Sequence, residues 1–60
     1  MLEKLKKDFN KKNYSLVVFI EGDKIEVYIT DMTEKKVYCG IIAYDIIQVV
    51  DFISRKLKSI

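Results

Sequence analysis

The pattern of apolar and polar residues across residues 16–29 fixes a strand pairing. Leu16-Val17-Val18-Phe19-Ile20 is a run of strand formers, and Ile25-Glu26-Val27-Tyr28-Ile29 is a second run with period two. Between them lies Glu21-Gly22-Asp23-Lys24. With Gly22-Asp23 as a two-residue turn, Gly22 supplies the positive φ that a tight primed turn requires. The turn then sets Ile20 opposite Ile25, Val18 opposite Val27 and Leu16 opposite Ile29, all on one face. A slip of one residue would scatter these six over both faces, so turn chemistry and hydrophobic pattern agree. The other face carries Val17, Phe19, Glu21, Lys24, Glu26, Tyr28 and Thr30. Its centre is apolar and aromatic, where a face meant only for water would be more polar.

On the N-terminal side, Leu2, Leu5 and Phe9 recur at helical spacing and predict a short amphipathic helix over residues 2–12. Glu3–Lys7 and Asp8–Lys12 are favourable pairs one turn apart. Asn13 is placed to end the helix in a left-handed conformation before a strand beginning at Tyr14. After the hairpin, Asp31-Met32-Thr33-Glu34-Lys35 reads as a turn, and a third strand follows from Lys36 to Ala43. Its alternation yields two sets: Val37, Cys39, Ile41 and Ala43, or Tyr38, Gly40, Ile42 and Tyr44. The first is apolar throughout and is expected inward, with Gly40 in an outer or bulged position.

Asp45 is a good N-cap for the second helix, with Gln48 as capping-box partner and Tyr44–Val49 placed as a hydrophobic staple. Ile46, Val49, Val50, Ile53, Leu57 and Ile60 form one helical stripe, flanked by Ile47 and Phe52. The expectation is an α+β domain of order α-β-β-β-α, covering residues 1–60 as one unit. Its sheet is a three-stranded antiparallel meander with both helices on the Leu16/Val18/Ile25/Val27 face.

Composition narrows how so small a chain holds together. Sixty residues bury only about 60% of their unfolded surface, and scaffolds of this size usually carry a staple. One cysteine excludes an intrachain disulfide, and the absence of histidine excludes cysteine/histidine zinc sites. Regular packing or self-association remains, and a homodimer is the expected state. The lone Cys39 fits a reducing, cytoplasmic setting. Lys4, Lys6 and Lys7 are followed by Asp8 rather than an apolar stretch, so no signal peptide is read. The longest strongly apolar run, Leu16–Ile20, is far short of the roughly 20 residues of a membrane span.

Charge is unevenly spread. Residues 1–12 carry five lysines against Glu3 and Asp8; residues 13–54 carry three lysines against seven acids; residues 55–60 carry Arg55, Lys56 and Lys58. The helical ends are basic and the sheet segment acidic. Cations near helix C-termini complement the helix dipole, which accounts for part of the pattern.

The sequence offers little reaction chemistry. Without histidine there is no Ser-His or Cys-His dyad, and Ser15, Ser54 and Ser59 have no evident base. Cys39 alternates into the core, where burial makes a thiol inert. The carboxylates Glu21 with Asp23, and Asp31 with Glu34, sit at solvated hairpin tips, the wrong environment for general acid–base work. They form no EF-hand loop, and Gly22 and Gly40 form no phosphate-cradling loop. No enzyme, cofactor or metal is expected.

The helix, three strands, helix order and the length are similar to those of double-stranded-RNA-binding domains. That family carries a basic motif at the start of its second helix, where this chain has Tyr44-Asp45-Ile46-Ile47-Gln48; its basic residues lie at the other end, so the resemblance is one of topology. Nucleic-acid binding is kept as an alternative, through Lys4, Lys7, Lys11, Arg55, Lys56 and Lys58. Base stacking on Phe19, Tyr28 and Tyr38 would bring phosphate near Glu21 and Glu26, which repel it.

What remains is recognition of a protein. An apolar-aromatic centre rimmed by charge has the outline of a protein interface. The expected contact residues are Val17, Phe19, Tyr28 and Tyr38, and the partner is a foreign protein or a second copy. By analogy of type, small proteins of this kind include phage-encoded inhibitors of host proteins. A further alternative is a structural subunit of a homo-oligomer, joined by its sheet edge.

Overall fold

A computed structural model describes residues 2–60. The chain runs α1 (Leu2–Lys11), β1 (Tyr14–Glu21), β2 (Lys24–Asp31), β3 (Lys36–Ala43) and α2 (Ile46–Ser59). The strands form one antiparallel sheet in the order β1-β2-β3, so the α+β, α-β-β-β-α meander expected from the sequence is the observed architecture. α1 ends at Lys11, one residue short of the expected boundary. Asn13 takes the left-handed conformation, φ 66°, that stops it.

The hairpin register is the expected one: Leu16 faces Ile29, Val18 faces Val27 and Ile20 faces Ile25. Gly22 is left-handed at φ 60° and Asp23 is not, the signature of a type II′ turn. Phe9, Leu16, Val27, Ile29, Ala43, Val49 and Ile53 form the core. The helix-facing side of the hairpin and the stripes of both helices therefore converge as the spacing predicts. α1 packs against β1 and α2 against both β2 and β3. The C-terminal ends of the helices meet, where Lys12 Nζ donates to the Ile60 carbonyl at 3.0 Å.

Between β2 and β3 the ladder breaks at Ile29/Thr30: Ile29 pairs with Cys39 and Thr30 with Val37, leaving Tyr38 as an extra residue. This bulge corrects two expectations. Val37 was expected inward with Cys39, Ile41 and Ala43; the bulge turns it to the open face, 59% exposed. Tyr38 was expected on the open face; its ring packs edge-on against Tyr14, 5.6 Å between centroids. Tyr14 shares the alternating set of Leu16 and packs on the core, so Tyr38 lies toward the helix side.

The turn before the bulge is held by polar groups. Asp31 Oδ1 accepts from the backbone N–H of Thr33 at 2.9 Å and of Glu34 at 3.2 Å, an Asx-type closure. Lys35 is left-handed at φ 57°. Asn13 ties the end of α1 to this turn: its carbonyl accepts from Met32 N–H at 3.0 Å, and its Nδ2 donates to Thr33 Oγ1 at 2.7 Å.

Asp45 caps α2 as expected, accepting from Ile47 N–H at 2.7 Å. The expected staple does not close: Val49 is buried but Tyr44 is 69% exposed. Ile46, expected on the core stripe, is half exposed at the first turn of α2.

Candidate functional site

The side of the sheet away from the helices is built by alternation. Residues that β1 and β2 turn away from the core bring Val17 opposite Tyr28, and Phe19 opposite Glu26. β3 adds Gly40 beside Tyr28, and Ile42 beside Glu26. The bulge adds Val37 beside Thr30. The result is a continuous apolar face in which Phe19, Val37 and Ile42 are each more than half exposed around the half-buried Val17 and Tyr28.

Tyr28 organises this face. Its ring packs edge-to-face with Phe19, 6.1 Å between centroids. On the other side it lies over Gly40: a Cβ there would sit 2.8 Å from Tyr28 Cδ1 and 2.8 Å from the Val27 carbonyl oxygen. Gly40 is thus the residue that lets an aromatic ring lie flat across to β3. Beyond it is a shallow hollow lined by Tyr28, Val37, Gly40, Ile41 and Ile42.

Charge enters the face at one place. Glu26 lies between Phe19 and Ile42, and its carboxylate is already engaged. The Tyr28 hydroxyl donates to Glu26 Oε1 at 2.6 Å, and Lys24 Nζ stands 3.9 Å from Oε2. A carboxylate with partners on its own strand can be covered at lower cost than a bare one. The bond to Glu26, helped by burial, raises the Tyr28 phenol above its ordinary value of 10.0. The hydroxyl therefore stays a donor across the neutral range.

Of the four expected contact residues, the structure brings Val17, Phe19 and Tyr28 together, and Tyr38 is displaced by the bulge. Val37 and Ile42 complete the face. Ile42 was legible from strand parity; Val37 was not, because nothing in Asp31–Lys36 fixes the phase in which β3 begins. A second apolar strip lies along the flank of α2, formed by Ile46, Ile47 and Val50 with Asp51 and Ser54. Its only signal was Ile47, flanking the stripe on which Ile46 and Val50 were expected.

The basic residues lie on the helices, on the other side of the molecule. Lys4, Lys7 and Lys11 are exposed along α1. Arg55 Nε pairs with Asp51 Oδ2 at 3.2 Å, and Lys56 Nζ sits 5.7 Å from the centre of the Phe52 ring. Lys58 is exposed near the end of α2. These six cationic groups and the aromatic face are therefore not parts of one surface. Cys39 is partly buried, and burial pushes its thiol up while the nearby charge of Lys56 opposes this. A thiol so held is a weak nucleophile. No group of three or more potential metal ligands lies together among the described residues. No described helix is long and apolar enough to cross a membrane.

No family model, curated protein or solved structure matches this chain. The functional reading therefore rests on the surface alone.

Proposed function

We propose that this chain is a small non-enzymatic binding module, or inhibitor, that engages a protein through the open face of its sheet. The observation that carries this reading is the cluster of Phe19, Val37 and Ile42, each more than half exposed around Tyr28. Contiguous exposed apolar surface is characteristic of interaction sites. Phe and Tyr are common anchors in such sites, and Glu21 and Lys24 supply charge at the rim. Reaction chemistry has less support: among the described residues the phenols of Tyr14 and Tyr28 and the thiol of Cys39 are held above their ordinary values, which keeps all three protonated and weakly nucleophilic at neutral pH.

The test compares the wild type with a Phe19→Ser/Val37→Ser variant, each immobilised and challenged with nuclease-treated extract of its native source. The wild type is expected to retain a protein that the folded variant does not, in high as well as low salt. Equal retention by both refutes the open face as the site. Binding of labelled duplex RNA or DNA that weakens steeply with salt transfers the function to the lysines and Arg55 of the helices.

A further inference from the structure

We propose that the free edge of β3 pairs with β3 of a second copy, antiparallel about a two-fold axis through Ile41, to give a continuous six-stranded sheet. This proposal differs from the open-face reading in resting on the backbone groups of the β3 edge; the two share Ile42 and the hollow beside Gly40, while Phe19 and Val17 belong to the face alone.

Backbone groups without a partner in the sheet lie along the outer side of β3. Lys24 closes the two-residue turn with Glu21, and the hydrogen-bonding direction alternates along a strand from such a closing pair. Lys24, Glu26, Tyr28 and Thr30 therefore bond toward β1; Ile25, Val27 and Ile29 bond toward β3, where they meet Ala43, Ile41 and Cys39. The N–H and C=O groups of Gly40 and Ile42 consequently point away from the sheet. Both residues are exposed. At the other edge, α1 packs against β1 near Leu16, which is 5% exposed, while Phe19 and Ile20 toward the hairpin tip are 55% and 70% exposed, so it is the hollow beside Gly40 that singles out β3.

Native edges are normally blunted by charge, proline or a bulge. β3 has its bulge at Tyr38, but from Cys39 to Tyr44 it carries no charge and no proline. That segment is an unprotected template for another strand.

The shape of the edge chooses the partner and the register. With Ile41 opposite Ile41 of the second copy, Gly40 falls opposite Ile42 of the second copy, and Ile42 opposite its Gly40. All four free groups of each chain are then used, in four hydrogen bonds across the axis. The exposed Ile42 side chain enters the hollow that Gly40 leaves between Tyr28 and Val37. The alternative with Gly40 opposite Gly40 would leave that hollow empty twice. The chosen register also sets Tyr38 opposite the exposed Tyr44 of the second copy.

The helices agree with this arrangement. α2 packs on β2 and β3 alike, so its axis lies over the gap between them. With strands about 4.8 Å apart, the two α2 axes come about 10 Å apart, a normal packing distance for helices. Across the two-fold they run antiparallel. Asp45 caps α2 and Asp51 lies in its N-terminal half, while Arg55, Lys56 and Lys58 lie in its C-terminal half. Each acidic half therefore meets a basic half, and the flank bearing Phe52 and Lys56, the one near Cys39 of β3, faces the other copy.

The experiment is sedimentation equilibrium of the full chain, from about 10 μM to about 1 mM, because association is read from its concentration dependence. The wild type is expected to weigh twice the 7.1 kDa of the chain. Ile42→Lys, a charge on an exposed edge, is expected to weaken the dimer about tenfold or more while circular dichroism stays native. Phe19→Ser is expected to leave it intact. A crosslink keeps the proposal testable should Ile42→Lys fail to fold. In Cys39→Ser/Ile41→Cys, cysteines facing each other across the axis stand about 4.5 Å apart at Cα, within disulfide reach. Mild oxidation is expected to give a covalent dimer, whereas wild-type Cys39, opposite Ala43 of the second copy, gives none. A wild type that stays monomeric, a dimer broken by Phe19→Ser but not by Ile42→Lys, or an Ile41→Cys variant that does not crosslink would each overturn the proposal.

Discussion

The two ladders of the sheet share the central strand β2 and are otherwise unlike. In the β1–β2 hairpin a two-residue turn with one left-handed glycine leaves the register no freedom, and eight consecutive pairs follow without interruption. In the β2–β3 ladder a longer connection, held by Asp31 and Lys35, delivers β3 one residue out of phase, and a bulge restores the pairing. The irregular ladder adds features of its own: Val37 turned outward, a hollow over Gly40, and an edge uncharged from Cys39 onward. Where turn chemistry fixes everything, the pairing is complete although Phe19 and Ile20 stay exposed; where it does not, a bulge and a hollow remain.

The strongest way to break this contrast is Ile29→Ala. Ile29 is fully buried, pairs with Leu16 on one side and with the bulge on the other, and anchors both ladders. Its truncation is expected to cost about 2–5 kcal/mol, visible as loss of cooperative thermal unfolding. Gly40→Ala attacks only the irregular ladder. The added Cβ meets both a ring and a backbone oxygen at 2.8 Å, and the oxygen cannot swing away. A loss of about 1–3 kcal/mol in urea unfolding is expected, with the Tyr28 ring displaced in NMR spectra. Gly22→Ala attacks only the regular one: a left-handed φ imposed on alanine costs about 1–2 kcal/mol, with register unchanged because the pairs on both strands remain. Asp31→Ala, which removes the acceptor for two turn N–H groups, is expected to cost about 1 kcal/mol and to raise amide exchange at Thr33 and Glu34.

The smallest effect is one of pH. Tyr28 is raised above 10.0, chiefly by its bond to Glu26. A group whose pKa rises on folding contributes stability below its unfolded value and loses it as pH climbs through the folded one. The wild type is therefore expected to lose this contribution only above pH 10. Glu26→Gln should lower the Tyr28 titration, followed by its ultraviolet phenolate absorbance.

Most of the fold was legible in the sequence because local signals agreed. Gly22 and the alternation Leu16–Ile29 defined the hairpin, Asn13 ended α1, and Asp45 began α2. The face centred on Val17, Phe19 and Tyr28 followed from the same alternation. Val37 and Tyr38 were misplaced for a definite reason: strand parity passes through a turn only when the turn length is known, and Met32–Lys35 contains no glycine to announce its geometry. The staple failed because Tyr44 was judged by spacing alone, whereas the chain leaves β3 in a direction that keeps its ring in solvent.

The account turns on the β2–β3 half being the unfinished side of the sheet, and amide hydrogen exchange at low and high protein concentration tests this most directly. The amides of Gly40 and Ile42 are expected to exchange fast in dilute solution and to become protected as concentration rises, while those of Val18 and Ile20 on the opposite edge do not change. Protection that grows at Val18 and Ile20 instead, or fails to grow anywhere, would contradict it.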